Sequence, residues 1–418
     1  MRVEHTGAGA ARSPAPWPLY ELDLAEARRT GPHPLPFRQF VLKTHSRCNL
    51  ACTYCYIYES PDRSWRERPA RVPDATMRRT AARIAEHVRA HRLSSVRVDL
   101  HGGEPLLGGA APLLRYTAHV REALPDHCAV SFVVQTNGTL LTPDALAALA
   151  GAGIRVGLSL DGGTAAHNRR RVDHAGRPGW PAAARAARLL RDHPGSYAGI
   201  LCTIDLTSDP GEVLDGLTAL RPPALDLLLP HANWSSPPPG VAPDDPRTLT
   251  LPHRRPTPYG DWLAEVFDLW WDKDRPAVPV RLFAEIIALL LGLPSSTESV
   301  GLSPAATVVV DTDGAIEQVD SLKTAYPYAP ATGLDVHRNT FDEALEHPGI
   351  VARQLGRGAL PAACLDCPLV AVCGAGNYAH RYVAHSGFQH PTVYCADMTR
   401  LIRHIAGRLR AEIASASP

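Results

Sequence analysis

At 418 residues, 45% of them hydrophobic, the chain can bury a sizeable core and exceeds one ordinary domain, which argues for one large domain with a smaller one appended. Lys plus Arg (43) nearly balance Asp plus Glu (42), so no broad basic field draws it to nucleic acid or anionic lipid. No run of about 18 uninterrupted apolar residues offers a membrane span, and residues 1–36 lack a signal-peptide core, so a cytoplasmic protein with neither nucleic-acid nor membrane partner is expected.

Residues 1–36, with Pro14, Pro16, Pro18, Pro32, Pro34 and Pro36, read as an irregular arm with one short helix near Leu22–Arg29. From there β-rich runs alternate with helical patterns. The expected strands are Phe40–Lys43, Val96–Leu100, Val130–Gln135, Ile154–Leu160, Gly199–Ile204 and Leu225–Leu229. Between them, apolar spacing predicts helices at Ala75–His91, Ala111–Leu124, Pro143–Ala150, Pro181–Asp192 and Pro210–Leu220, often opened by Pro or Asp. Such βα units imply a parallel sheet, curved as a partial barrel or wound open. Ser235–Pro258, dense in Pro and short polar residues, is expected to cross the sheet's mouth as a loop. Helices at Tyr259–Asp272 and Val280–Leu291 then lead to a hairpin, Thr307–Val310 turning at Asp313-Gly314 into Ile316–Val319. These shifts divide the chain into an arm (1–36), an α/β barrel (37–235), a Pro-rich loop with bridging helices (236–300) and a C-terminal domain (301–418).

The nine cysteines fall mainly into two groups about 300 positions apart, whereas a disulfide scaffold is usually short, secreted and evenly studded with cysteine. Metal ligation is the better default. Cys48, Cys52 and Cys55 follow the first strand, which puts three soft thiolates on one loop at the carboxyl edge of the sheet. A closed zinc site wants a fourth ligand; three thiolates suit a cubic iron–sulfur cluster with one iron free. A zinc knuckle or buried thiols are the plainer alternatives. Cys128 and Cys202 are expected to be buried thiols.

The Cys48-x3-Cys52-x2-Cys55 spacing, with Tyr54 before the last cysteine, resembles the radical S-adenosylmethionine (SAM) superfamily. The resemblance continues at successive strand ends: His101-Gly102-Gly103-Glu104-Pro105, then Gln135-Thr136-Asn137-Gly138, then Ser159-Leu160-Asp161-Gly162 with His167-Asn168-Arg169-Arg170-Arg171. The last element has Asn168 where the family usually has Asp. Any one of these could be turn chemistry; four in order cover about Phe37–Leu229. The resemblance implies a partial (β/α)6 barrel and a [4Fe-4S] cluster whose open iron binds SAM. It further implies SAM contacts from Tyr54, Gly102, Gly103, Glu104, Asn137, Ser159, Asp161 and Arg171, with the Glu104 carboxylate receiving the ammonium group. In that family an electron entering SAM releases a 5′-deoxyadenosyl radical that takes a hydrogen atom from an unactivated carbon.

Cys364-x2-Cys367-x5-Cys373, then Cys395, supplies four ligands, enough to close a second centre. A zinc ribbon is the alternative. The pattern resembles the SPASM extension of peptide-modifying radical SAM enzymes, with departures: Asn377 and Val319 stand where that family places further cysteines, so the resemblance implies one auxiliary [4Fe-4S] cluster. Asp320 matches the position of a general base in members that oxidise a side chain; the bland alternative is a hydrogen-bonded residue at a hairpin end. Further stretches, including Phe37–Lys43, Tyr56-x-Tyr58-Glu59, Leu229-Pro230-His231-x-Asn233-Trp234 and Tyr378–Tyr382, are similar to FxsB-type maturases of ribosomal peptides, some of which form three-residue cyclophanes. That similarity implies a precursor-peptide substrate and an external electron donor of flavodoxin or ferredoxin type.

Overall fold

The computed structural model describes residues 34–241, 256–273 and 278–416, with Glu26, Arg29 and Pro246 besides. The expected arm helix near Leu22–Arg29 lies outside these residues, apart from Glu26 and Arg29.

Six parallel strands carry the first half: β1 (Gln39–His45), β2 (Ser95–Gly102), β3 (Ala129–Thr136), β4 (Ile154–Ser159), β5 (Tyr197–Thr203) and β6 (Leu225–Leu228). Each predicted strand is present. They lie side by side in chain order, β6-β5-β4-β3-β2-β1, the succession a sheet adopts when every crossover winds the same way and the helices cover one face. The helices are α1 (Asp74–Ala90), α2 (Ala111–Ala123), α3 (Pro143–Gly151), α4 (Trp180–Arg191) and α5 (Pro210–Thr218). Local chemistry starts them: the Thr142 side chain accepts from Ala145 N before Pro143, and Asp209 accepts from Glu212 N before Pro210.

The expected hairpin is present, with Val309 opposite Glu317 and Val310 opposite Ile316, and it joins the main sheet. Strand β7 (Thr307–Val310) pairs parallel with β1, and β8 (Ala315–Glu317) and β9 (Ala331–Asp335) extend the same sheet antiparallel, giving nine strands. The second hairpin arm therefore ends at Glu317 rather than Val319. β9 contains Gly333 and little β-branched sequence; its position is fixed instead by the Thr332 hydroxyl, which bonds the Ile316 carbonyl. Helices α6 (Pro258–Trp271) and α7 (Arg281–Leu290) appear where expected. Short helices follow, α8 (Phe341–Leu345), α9 (Pro348–Gln354), α10 (Ala362–Leu365) and α11 (Val370–Cys373), then the long α12 (Cys395–Ala416), which packs on α6 and α7. The core is continuous from β1–β6 through α12, including Phe40, Val98, Leu158, Phe267 and Ile402. Among the described residues no helix is long and apolar enough to cross a membrane.

Candidate active site

The loops leaving the carboxyl ends of β1–β6 gather at one edge. The ladder between β1 and β2 is irregular between Lys43 and His45, and there the chain turns into the first cysteine loop. That loop is pinned by Ala51 N donating to the Val172 carbonyl (2.7 Å), Thr53 N to Arg170 (3.1 Å) and Cys55 N to Cys52 (3.0 Å). Cys48, Cys52, Cys55, Tyr54, Gly102, Gly103, Asn137, Ser159 and Arg171 all line one cavity of about 190 Å³. Glu104 and Asp161 stand directly behind its wall.

The two glycines are required by backbone approach. A Cβ on Gly102 would lie 2.3 Å from the His45 carbonyl oxygen, and one on Gly103 would meet the Tyr58 hydroxyl at 1.8 Å and the Arg47 backbone at 2.5 Å. They let the second strand end nest under the cysteine loop. Glu104 is fully buried, and its carboxylate accepts from Leu106 N (3.0 Å), the Thr136 hydroxyl (2.6 Å) and Asn137 N (2.8 Å). Burial raises its pKa against these donors. Its evident work is to tie the loop after β2 to the loop after β3; one lone pair on Oε2 remains for a ligand. Asn137 extends the tie, its Nδ2 lying 3.7 Å from the Cys48 sulfur and 3.0 Å from Asn49 Oδ1.

Asp161 accepts from the Tyr54 hydroxyl and from Thr203 N (3.1 Å), while Arg171 donates to the Tyr54 oxygen (2.7 Å) and faces Asp161 at 3.8 Å. Three elements thus fix the ring beside Cys55. Asn168 explains its own departure from the family pattern: its Oδ1 accepts from Asp161 N (3.0 Å) and its Nδ2 donates to the Gly162 (3.0 Å) and Thr164 (2.8 Å) carbonyls. An aspartate could not make those donations.

The donor set tests what the loop can hold. Burial pushes Cys48 up to about 12 and Cys52 up to about 11, and raises Cys55, so a metal must displace thiol protons on binding. Among the described residues, the His/Cys/Asp/Glu group with ligand atoms all within 4.8 Å of one another is His87, His91 and Asp342; both cysteine groups are wider. Sulfurs around a tetrahedral zinc, with Zn–S about 2.3 Å, would sit about 3.8 Å apart. A wider set of soft thiolates beside a cavity of about 190 Å³ fits a cubane and leaves room for its additional ligand.

In the second group Cys364 and Cys373 are electrostatically coupled to each other and to Cys367, and burial pushes them up to about 12 and about 11. Helix α11, ending in Cys373, packs on α12, which opens with Cys395. Asn377 and Val319 add no thiolate: Asn377 Oδ1 caps the following turn through Ala379 N (3.0 Å), and Val319 packs on an apolar cluster with Leu322, Tyr378, Tyr382 and Phe388. Cys128 and Cys202 are buried, at 7% and 1% exposure.

Asp320 opens the 3-10 turn after β8, and its Oδ1 accepts from Lys43 Nζ at 2.5 Å, with Asp311 3.8 Å from the same ammonium. Burial alone would pull Lys43 down, yet Asp320, Asp311 and Glu317 together hold it well above the usual lysine range. Asp320 acts electrostatically on Tyr56, His101 and His231, all three lining the cavity. His231 therefore faces the site, at 3.2 Å from His380. Asn233 and Trp234 do not: they anchor the loop through the Thr324 carbonyl (2.9 Å) and the Pro391 carbonyl (2.7 Å). Sequence reasoning missed Lys43, Tyr56 and His101 as site residues; a lysine and a histidine inside otherwise apolar strand ends were the available signals.

Comparison with known proteins agrees with this geometry. Residues 42–215 match the family model described as the radical SAM superfamily. The chain is 34% identical over 160 residues to a serine-type anaerobic sulfatase-maturating enzyme of Klebsiella aerogenes, a match spanning 38% of each protein. It is 26% identical over 290 residues to the cysteine-type enzyme of Clostridium perfringens, covering 68% of this chain and 74% of the relative. Among solved structures, native anSMEcpe with bound AdoMet superposes with a TM-score of 0.74 at 20% identity, over 91% of this chain and 100% of that one. The same protein with bound AdoMet and the Cp18Cys peptide gives 0.72 at 21% identity, over 91% and 100%. Over residues 42–215, the barrel and its cysteine loop, the chain is therefore similar to the radical SAM superfamily, and the relatives it matches include anaerobic sulfatase-maturating enzymes.

Proposed function

We propose that this radical SAM enzyme modifies a ribosomally made precursor peptide by a carbon–carbon crosslink, joining an aromatic ring to the β-carbon of a residue two positions later. The observation that carries a peptide substrate is a groove of about 360 Å³ that shares Tyr54, Cys55, Tyr56, Pro230 and His231 with the cysteine-loop cavity. Pro237–Pro239 form its far wall and Glu59 and Arg170 flank it. Prolines fix φ, so this wall is stiff, and an extended chain laid along it would bring one residue to the cavity. The peptide-bound forms of anSMEcpe support a peptide partner at the same fold.

When bound, a cluster on Cys48, Cys52 and Cys55 with SAM would supply a radical able to take hydrogen from an unactivated carbon, and a cluster on Cys364, Cys367, Cys373 and Cys395 would supply an electron acceptor. The chain's own residues do the rest. Tyr54, Asp161 and Arg171 fix the cavity wall, Glu104 and Asn137 lock two strand ends beneath the cysteine loop, and the Pro-rich wall excludes water. Asp320, held to β1 by Lys43 with its second carboxylate oxygen unbound by that contact, receives the proton lost when the ring regains aromaticity. Reducing electrons come from an external donor of flavodoxin or ferredoxin type.

Incubation of anaerobically reconstituted enzyme with SAM, dithionite and a candidate precursor tests this. Expected is a product lacking two hydrogens, mapped by tandem mass spectrometry to a ring and a β-carbon and inert to aldehyde reagents. An aldehyde at a Ser or Cys instead would establish side-chain oxidation, the second reading, which the match to the sulfatase-maturating enzymes favours.

A further inference from the structure

The turn after Cys373 is built against the usual backbone preference. Gly374, Ala375 and Gly376 have φ of 61°, 62° and 66°, three left-handed residues in succession, one of them carrying a Cβ that disfavours this region. A Cβ on Gly374 would lie 1.7 Å from the Gly301 carbonyl oxygen, so the turn is pressed against a neighbouring segment. Its three carbonyls converge on one side chain: Arg381 Nη2 donates to Gly374 (2.7 Å) and Gly376 (2.9 Å), and Nε donates to Ala375 (3.2 Å). The turn closes on the cysteine that precedes it, the Gly376 N–H donating to the Cys373 carbonyl (2.9 Å).

Arg381 is 7% exposed, and among the described residues no carboxylate lies within ion-pair distance of it. Glu298, an acid that acts on it at longer range, is bound by Arg353 at 2.5 Å. Burying a permanent cation without a counter-charge costs several kcal/mol. Cys364 and Cys373 are electrostatically coupled to the guanidinium, and they become anionic when a metal takes the place of their protons. The Tyr378 ring, its centroid 5.0 Å from the guanidinium carbon, faces part of that charge, and the thiolates of the ligated cysteine group are the anions left to balance the rest.

We propose that Arg381 is the positioning residue and the fixed positive charge of the second cysteine site: it clamps the left-handed turn that follows Cys373, and it raises the reduction potential of the cluster held there. This rests on reading Cys364, Cys367, Cys373 and Cys395 as iron–sulfur ligands. A nearby buried cation stabilises the reduced, more negative state of a cluster.

The test uses the full chain with Cys48, Cys52 and Cys55 replaced by Ala, so that the second site alone is loaded. Iron and zinc are counted after anaerobic reconstitution, and the potential is measured by EPR-monitored titration with Arg, Lys or Gln at position 381. The expected result is about four irons, with Arg381→Gln shifting the oxidised-to-reduced ratio at fixed poise at least tenfold toward oxidised, about 59 mV for a one-electron couple. Arg381→Lys, which keeps the charge, should shift it less; loss of iron in the Gln variant alone would also support the charge. An unchanged potential in Arg381→Gln, or equal loss of iron from both variants, would overturn the electrostatic role. Zinc, or no iron, with Arg381 intact would instead overturn the reading of the cysteines.

Discussion

Replacing Lys43 by Met should be among the costliest single changes near the site. Lys43 is 4% exposed and lies 2.5 Å from Asp320 and 3.8 Å from Asp311, which are 8% and 2% exposed in their side chains. Met fills a similar volume but leaves Asp320 without its bonded cation, while Asp311 keeps Arg68 at 3.7 Å. Breaking a buried pair from one side typically costs about 3–5 kcal/mol, because the partner's charge is left uncompensated. Against a total of about 5–15 kcal/mol for a native protein, that is about a fifth or more of the stability. Urea unfolding followed by circular dichroism measures it. The double variant Lys43→Met with Asp320→Leu removes both charges and should recover most of the loss, since an apolar pair of similar size replaces an ion pair at little cost. A single variant within about 1 kcal/mol of the parent, or a double variant no better than the single, would refute the coupling.

Other outcomes follow from the same geometry. Gly103→Ala drives a methyl into Tyr58 and the Arg47 backbone, so the loop carrying Cys48 should move and iron loading at the first site should fall by half or more; unchanged loading would contradict the close approach. Asn168→Asp loses two donated bonds and sets a carboxylate against two carbonyls, costing about 2–4 kcal/mol in urea unfolding, whereas parental stability would contradict its assigned role. Burial holds His231 and His347 at about 4, below the ordinary 6.5. Their neutral forms therefore contribute stability that is full above 6.5 and lost as pH falls toward 4. By about pH 5.5 each should have lost about 1.4 kcal/mol, so urea midpoints equal to those at about pH 7.5 would refute it. Asp320→Asn should leave SAM cleavage intact and stop product formation; retained product would remove Asp320 as the proton acceptor.

The six barrel strands were legible because each is a short, largely apolar run set off by helices that open at Pro or Asp, and local patterning carries that information. β7 lying parallel to β1, and β9 joining the sheet, were not legible, since such pairings depend on residues far apart in sequence and on single contacts such as Thr332 to Ile316. Helix α12 was readable in Met398, Leu401, Ile402 and Ile405, spaced as one helical face, but the second cysteine group drew the reading instead. At the site, cysteine spacing pointed directly to the loop. What spacing could not show was that Gly102 and Gly103 serve the backbone of residues 45–47, that Asn168 is needed for its amide, or that Asp320 is tied to Lys43. Those roles exist only once distant strand ends meet.

The central claim is that Cys48, Cys52 and Cys55 hold a cubane with one iron free to bind SAM. EPR of the reduced, anaerobically prepared enzyme, taken with and without SAM and paired with metal analysis, tests it most directly. The account expects about eight irons per chain, a signal that changes when SAM is added, and loss of that response in Cys52→Ala. Zinc in place of iron, or a signal indifferent to SAM, would contradict it.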